Sequence, residues 1–250
     1  MKRIGIFIIT LYFGAGLGFG VFAFDLGYDL GFEGSVPASM EAQGTLVGSA
    51  SLGMDLPASL YLKLEVTDRS LLWSLSGPLF TPLDTELLGT FEYLGDAATL
   101  GLTAGFKGSA TFGSGANPGQ PRFGAFVRSS LPLVGDLLSL DGELRATSDL
   151  GGVYGRLELA PTAYLPLDPP LMVELKVLAD GILGNYGNAG GTGLSSLTFG
   201  PGLTVALGPS LSSSLFARYC YVFPGDRLRA LGSTVEVGAL FSASVEGLGK

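Results

Sequence analysis

Apolar and polar residues alternate without a break from Phe24 to Phe32. One phase carries Phe24, Leu26, Tyr28, Leu30 and Phe32, and the other carries Asp25, Gly27, Asp29, Gly31 and Glu33. Because successive side chains of a β-strand point to opposite faces, this segment is predicted to be a strand with one apolar face and one polar face.

The same alternation recurs up to Val245 and predicts twelve strands. The predicted strands are 24–34, 44–54, 58–67, 85–94, 98–112, 122–131, 138–147, 153–165, 171–181, 196–207, 211–223 and 233–246. Their charged residues lie opposite the aliphatic phase, so one face of the sheet is free of charge. Such a face is typical of a membrane protein, in which the sheet must close so that no backbone edge meets lipid. The fold class predicted for residues 24–250 is all-β: a closed antiparallel up-and-down transmembrane β-barrel of about 12 strands.

The predicted connections alternate in length. Tight turns are expected at 55–57, 95–97, 132–137, 166–170 and 208–209, and the segments between them are longer and rich in Gly, Pro, Ser and Asn. Short turns on one rim and longer loops on the other are typical of barrels in the bacterial outer membrane, where the short rim faces the periplasm. The external loops are expected to include 113–121 and 183–194.

The N-terminus has the features of a secretory signal. Lys2 and Arg3 precede an apolar run over 4–22, and Val21 and Ala23 are small residues at the positions that a signal peptidase reads. We therefore predict a signal peptide over residues 1–23, with Phe24 as the first residue of the mature chain. The alternative is an uncleaved transmembrane anchor of similar length. The glycines within this run, and the strand that follows it at once, favour cleavage.

Composition is consistent with an exported barrel. The chain is 47% hydrophobic and contains 40 glycines, yet no second long apolar run follows residue 23, so a bundle of membrane helices is excluded. The net charge of −8 disfavours nucleic acid as a partner. The single cysteine, Cys220, cannot form an internal disulfide.

These features resemble the outer-membrane β-barrel superfamily of Gram-negative bacteria, through the strand pattern over about 220 residues. The resemblance implies an outer-membrane location, with lipid and the barrel-assembly machinery as partners. Members usually finish on a strand with a terminal aromatic residue, whereas here the last aromatic residue is Phe241. Barrel enzymes of the phospholipase, lipid A deacylase and omptin types use a histidine as general base, and this sequence has none. No enzymatic activity, catalytic residue, metal site or cofactor is therefore predicted.

Charges on the polar phase predict two unlike walls in the lumen. The acidic wall, on the first and last strands, comprises Asp25, Asp29, Glu33, Glu236 and Glu246. The basic wall, on the fifth to eighth strands, comprises Lys107, Arg122, Arg128, Arg145 and Arg156. Opposed walls of this kind orient small polar solutes, and the excess of acids predicts a modest cation preference. The alternative is that opposite charges neutralise one another in a plug of side chains. Asp141 and Glu143 could act as paired carboxylates, but they are more simply members of a cross-strand charge ladder.

The number of strands does not decide whether the lumen is open, because twelve is intermediate between the strand numbers of filled barrels and of open ones. Small inward residues favour space: Ser49, Ser51, Gly101, Thr103, Gly105, Gly200, Gly202 and Thr204. Inward aromatic residues oppose it: Tyr61, Phe126, Tyr154, Tyr164 and Phe216. A passive channel for small hydrophilic solutes is the favoured function, and a closed barrel that displays its loops is the alternative.

Two local features carry their own expectations. The segment 70–75 is apolar and contains the only tryptophan; Leu71, Leu72, Trp73 and Leu75 either fold inward as a constriction loop or extend the strands and rest on the rim. Pro161 and Pro201 fall inside predicted strands, where a bulge or an early end of pairing is expected because proline lacks an N–H.

Overall fold

The structure, a computed structural model, describes residues 24–37, 43–74, 81–109, 119–185, 192–223 and 233–248. These residues form twelve strands: β1 (Phe24–Pro37), β2 (Gln43–Leu56), β3 (Leu60–Ser74), β4 (Thr81–Leu94), β5 (Thr99–Ser109), β6 (Gln120–Val134), β7 (Leu138–Ser148), β8 (Gly152–Leu165), β9 (Leu171–Asn185), β10 (Gly193–Gly208), β11 (Leu211–Val222) and β12 (Thr234–Leu248). The predicted signal peptide lies outside the described residues. No helix of the described part is long and apolar enough to cross a membrane.

The strands close into one antiparallel barrel in sequence order. Each strand pairs with its neighbours in the chain, and β1 pairs with both β2 and β12, with Leu30 opposite Phe241 at the closing seam. The predicted fold class and all twelve predicted strands are therefore confirmed. The main difference is length: several strands extend further toward the long-loop rim, so that β3 reaches Ser74 and β4 begins at Thr81.

The connections on one rim are on the whole shorter than those on the other, as predicted, with 149–151 as the clear exception. Strands are separated by 57–59, 95–98, 135–137, 166–170 and 209–210 on one rim, and by 38–42, 75–80, 110–119, 149–151, 186–192 and 223–233 on the other. At the first short turn, which is three residues long, Ala58 and Ser59 have φ of 64° and 58°, in the left-handed region that tight turns use. The exception is 149–151, where the Asp149 carboxylate accepts hydrogen bonds from the backbone N–H groups of Gly151 and Gly152 at 2.7 and 3.1 Å. This side-chain cap makes a tight turn on the long-loop rim.

The outer surface is apolar around the barrel. Leu102, Phe123, Leu144 and Leu215 are all more than half exposed, although they belong to the middle parts of their strands. Aromatic side chains lie on the same surface: Phe199 and Tyr219 are in an edge contact at 5.7 Å, and Tyr221 and Phe223 are in another at 5.2 Å near the long-loop rim. In water an exposed apolar surface of this extent would be unfavourable, and in lipid it is the expected outer face of a barrel.

The prolines interrupt pairing without shifting it. Leu159 of β8 pairs with Val177 of β9 and pairing resumes at Thr162 with Glu174, so Ala160 and Pro161 lack partners on β9 while the register is kept. Toward β11 the same gap occurs at Gly200 and Pro201 of β10. The expectation of a bulge or an early end was therefore wrong. Only the one ladder bond that a proline cannot donate needs to be lost, and the flanking pairs hold the register.

Candidate functional site

Ion pairs cover much of the inner face from β3 to β9. Eight basic side chains have a carboxylate oxygen within 4 Å: Lys63, Arg69, Lys107, Arg122, Arg128, Arg145, Arg156 and Lys176. Their partners are Glu65, Asp84, Glu86, Glu92, Glu143, Asp180 and Glu158, and Asp84 contacts both Arg69 and Lys107. Asp84 thus lies between two cations at the long-loop end of β4.

Two arginines of β6 reach across β5 to carboxylates on β4. Arg122 contacts Glu86, and Arg128 contacts Glu92, each at 3.0 Å. Gly105 and Gly101 on β5 are the register partners of Arg122 and of Phe126. Because β5 has no side chain at these two positions, the arginines can lie across its inner face. The long side chains therefore run along the wall and brace three strands.

The charge ladder predicted around Glu143 is present, but its geometry differs from simple cross-strand pairing. Glu143 and Glu158 are direct register partners, as are Arg145 and Arg156, so like charges face one another between β7 and β8. Each is compensated elsewhere: Arg145 contacts Glu143 along its own strand at 2.8 Å, Arg156 binds Asp180 through two hydrogen bonds, and Lys176 contacts Glu158 at 2.7 Å. Like charges directly opposite one another would be unfavourable, and the ion pairs along and across the strands offset this repulsion.

The predicted acidic wall is in a different electrostatic setting. The strands β12, β1 and β2 contain no lysine or arginine. Asp29 accepts a hydrogen bond from the Ser49 hydroxyl at 3.1 Å, and Glu236 faces Arg218 of β11 in register. Glu33 lies opposite Gly238 of β12. The side chain of Glu246 lies outside the described set.

The strand order places the two predicted walls on opposite sides of the barrel, because β7 is six strands from β1 in either direction. All five members of the basic wall, however, are ion-paired. That wall is therefore a wall of ion pairs, not of uncompensated positive charge. The pairing was not visible in the sequence because Arg128 and Glu92 are far apart along the chain.

Inward aromatic rings lie against glycines of adjacent strands. A Cβ atom at Gly101 would overlap the ring of Phe126, and one at Gly238 would overlap the ring of Phe216. Tyr61 covers Gly53 in the same way. Gly101 and Phe126, which the sequence set against one another as space and obstruction, are thus partners, and the rings of Phe126, Phe216 and Tyr61 each occupy the place of a missing side chain on the wall.

Arginines stack on two of these rings. The guanidinium carbons of Arg145 and Arg128 lie 5.2 and 5.7 Å from the ring centroid of Phe126, and that of Arg218 lies 4.3 Å from the centroid of Phe216. These are cation–π distances. Sequence reasoning missed the stacks; the signal available was an arginine two residues from an inward phenylalanine in both Phe126-x-Arg128 and Phe216-x-Arg218.

The apolar segment at 70–75 does not fold inward over its described part. Leu71, Leu72 and Trp73 belong to β3, where Leu71 pairs with Thr45 and Trp73 with Gly44 of β2. The constriction-loop hypothesis is therefore wrong for these three residues, and the alternative of a strand extension holds. Leu75 lies outside the described residues. Leu71 and Trp73 pair with β2 on either side of a register shift at Leu72, and Leu71 also pairs with Thr81 of β4; an inward loop would forgo this pairing.

Among the described residues, no group of three or more His, Cys, Asp or Glu side chains could hold a metal ion. Asp141 accepts a hydrogen bond from Ser139 at 3.3 Å, and Glu143 is engaged by Arg145. Asp141 and Glu143 therefore each contact a different side chain.

Comparison with known proteins identifies the architecture. No protein-family model matches the chain, and no match was found among curated proteins. The fold is similar to three solved structures: NanC porin (TM-score 0.52, 12% identity, 86% of this chain and 98% of that one), LpxR from Salmonella typhimurium (0.54, 12%, 86% and 99%) and an outer-membrane channel from Pseudomonas putida F1 (0.53, 11%, 92% and 97%).

The barrel, its apolar outer face and its charged inner face therefore define the class: this chain has the fold of the bacterial outer-membrane β-barrels. At these levels of identity the likeness extends to the fold and not to a particular subfamily.

Proposed function

We propose that this protein is an outer-membrane barrel that acts as a passive channel for small hydrophilic solutes, with a modest preference for cations. It carries out no enzymatic reaction in this proposal. The solved structures of similar fold include a porin and an outer-membrane channel, which supports the class of function.

The observation that carries the proposal is the direction of the long inward side chains. Arg122 and Arg128 lie across β5, and the ring of Phe126 lies over Gly101, so these groups follow the wall. Arg128 and Arg156 keep 51% and 50% of their side-chain surface exposed although they belong to the inner phase. No side chain of the described part is fully buried. An inner face with this exposure supports a hydrated lumen rather than a dry plug.

The distribution of charge supports the cation preference. From β3 to β9 each basic side chain is neutralised by a carboxylate, whereas Asp25, Asp29 and Glu33 lie on strands without any base. A permeating ion therefore meets an excess of carboxylates over basic side chains on one side of the lumen. Such a field raises the local concentration of cations and lowers that of anions.

Planar-bilayer recording of the refolded protein tests the channel itself. We expect stepwise single-channel currents whose conductance rises with salt concentration, because an aqueous lumen conducts through its bulk electrolyte. Refolding is checked first by heat-modifiable migration in gel electrophoresis. A correctly folded barrel without conductance at any salt concentration would refute the channel and favour a closed, loop-displaying barrel.

The proposed location includes cleavage of residues 1–23, and mass spectrometry of the exported protein tests it. We expect Phe24 as the first residue, because the charged start, the apolar run and Val21-Phe22-Ala23 all precede it and β1 begins there. A mature chain that retains Met1 would indicate an anchor. The partners in this proposal are outer-membrane lipid, the barrel-assembly machinery and small polar solutes or ions.

A further inference from the structure

One cluster of the inner wall is more tightly organised than the rest. Phe126 is 5% exposed and is one of three buried hydrophobic residues in the described part of the chain. Its ring lies over Gly101 on one side of β6, and the guanidinium groups of Arg128 and Arg145 approach it at 5.7 and 5.2 Å. We call Gly101, Phe126, Arg128 and Arg145 the ring cluster.

Each of the two arginines of the ring cluster contacts both the ring and a carboxylate. Arg128 contacts Glu92 of β4 at 3.0 Å, and Arg145 contacts Glu143 at 2.8 Å. Glu92 is only 7% exposed, so the Arg128 pair is anchored in the wall. Arginine side chains have several rotatable bonds and would otherwise sample many positions in a wet lumen. Contact with the shared ring and with the two carboxylates holds the guanidinium groups of Arg128 and Arg145 along the wall.

We propose that Phe126 is a positioning residue for the channel: it holds Arg128 and Arg145 against the wall, and Gly101 is the socket that keeps the ring itself out of the lumen. This inference rests on the proposed channel function. It assigns a part of the ion selectivity to a neutral side chain, because a guanidinium that leaves the wall places its positive charge nearer to permeating ions without changing the net charge.

The first test does not require conduction. Phenylglyoxal modifies accessible guanidinium groups, and mass spectrometry can read each arginine separately in the folded, refolded barrel. In Phe126→Leu we expect the modification rates of Arg128 and Arg145 to rise about three- to tenfold, the range corresponding to a partly exposed cation–π contact. Arg122 is the internal control. Its ion pair with Glu86 is 3.0 Å long, like that of Arg128 with Glu92, but the arginines that stack on Phe126 are Arg128 and Arg145.

Phe126→Tyr retains the ring and should retain the wild-type rates, which separates stacking from general destabilisation. An unchanged ratio of Arg145 to Arg122 modification in Phe126→Leu would overturn the positioning role whether or not the barrel conducts. If the wild-type barrel does not conduct, the channel function is refuted, but the modification rates still test the positioning role of Phe126.

The second test addresses the socket. A Cβ at Gly101 overlaps the ring. We expect the ring to be displaced toward the lumen, so Gly101→Ala should reduce single-channel conductance. The double variant Gly101→Ala with Phe126→Leu should recover conductance, because the displaced ring is gone, while its cation preference stays below that of the wild type. Gly101→Ala with wild-type conductance in a conducting barrel would overturn the socket. If Phe126→Leu does not fold, Gly101→Ala still tests the proposal, through the same modification rates.

Discussion

Replacing Leu144 by arginine is expected to destabilise the folded barrel in lipid by roughly 2–4 kcal/mol, the cost of an arginine on a barrel's lipid face near the bilayer midplane. Leu144 is 59% exposed, belongs to the outer phase of β7 and pairs with Val127 and Leu157, which are also apolar and exposed. A guanidinium there has no carboxylate within the outer phase of its neighbours. Urea unfolding equilibria of the protein refolded into lipid vesicles measure the change.

Two matched variants define what the Leu144 result means. Leu100→Arg places the same side chain on the outer phase at the second residue of β5, beside the short-turn rim, where a cost of about 0–1 kcal/mol is expected. Glu143→Gln changes the inner neighbour of Leu144 and loses one ion pair with the partly exposed Arg145, worth about 0–1 kcal/mol. A larger loss of stability in Glu143→Gln than in Leu144→Arg would reverse our assignment of the two faces.

Neutralising the acidic wall is expected to lower the cation preference of the channel. In the triple variant Asp25→Asn, Asp29→Asn and Glu33→Gln, three carboxylates are removed from strands that carry no base. The ratio of cation to anion permeability, from reversal potentials in a salt gradient, should fall by roughly twofold or more at low salt. An unchanged ratio in a folded, conducting barrel would show that ions do not pass along this wall.

Neutralising the opposite wall is the matched control, with a change in the other direction. Arg128→Gln, Arg145→Gln and Arg156→Gln should raise cation preference, because each substitution releases a carboxylate that the arginine now neutralises. Both shifts should shrink as salt rises, since the Debye length falls from about 10 Å at 0.1 M to about 3 Å at 1 M. Equal shifts of the same sign in both triple variants would contradict the opposed walls.

The sequence alone determined the barrel. Side chains of a strand alternate with a period of two, so the phase of Leu144 and Glu143 could be assigned without any knowledge of neighbouring strands. Closure followed from the same alternation, because a charge-free face needs lipid and lipid tolerates no open edge. Strand ends were less well determined: Ser70 to Ser74 extend β3 although their apolar and polar residues no longer alternate, since pairing with β2 supplies the hydrogen bonds.

Only the tertiary structure decided how the inner face is organised. The sequence correctly placed Arg128 and Glu92 on the inner phase, but their 3.0 Å contact depends on the register of β4, β5 and β6 and on the low inner face of β5. In the sequence Gly101 and Phe126 are opposing signals for space and obstruction, whereas the ladder sets them side by side. Alternation fixes the face on which a side chain lies, and register fixes the neighbour that it meets; register is a property of paired strands and is not contained in the pattern of any one of them.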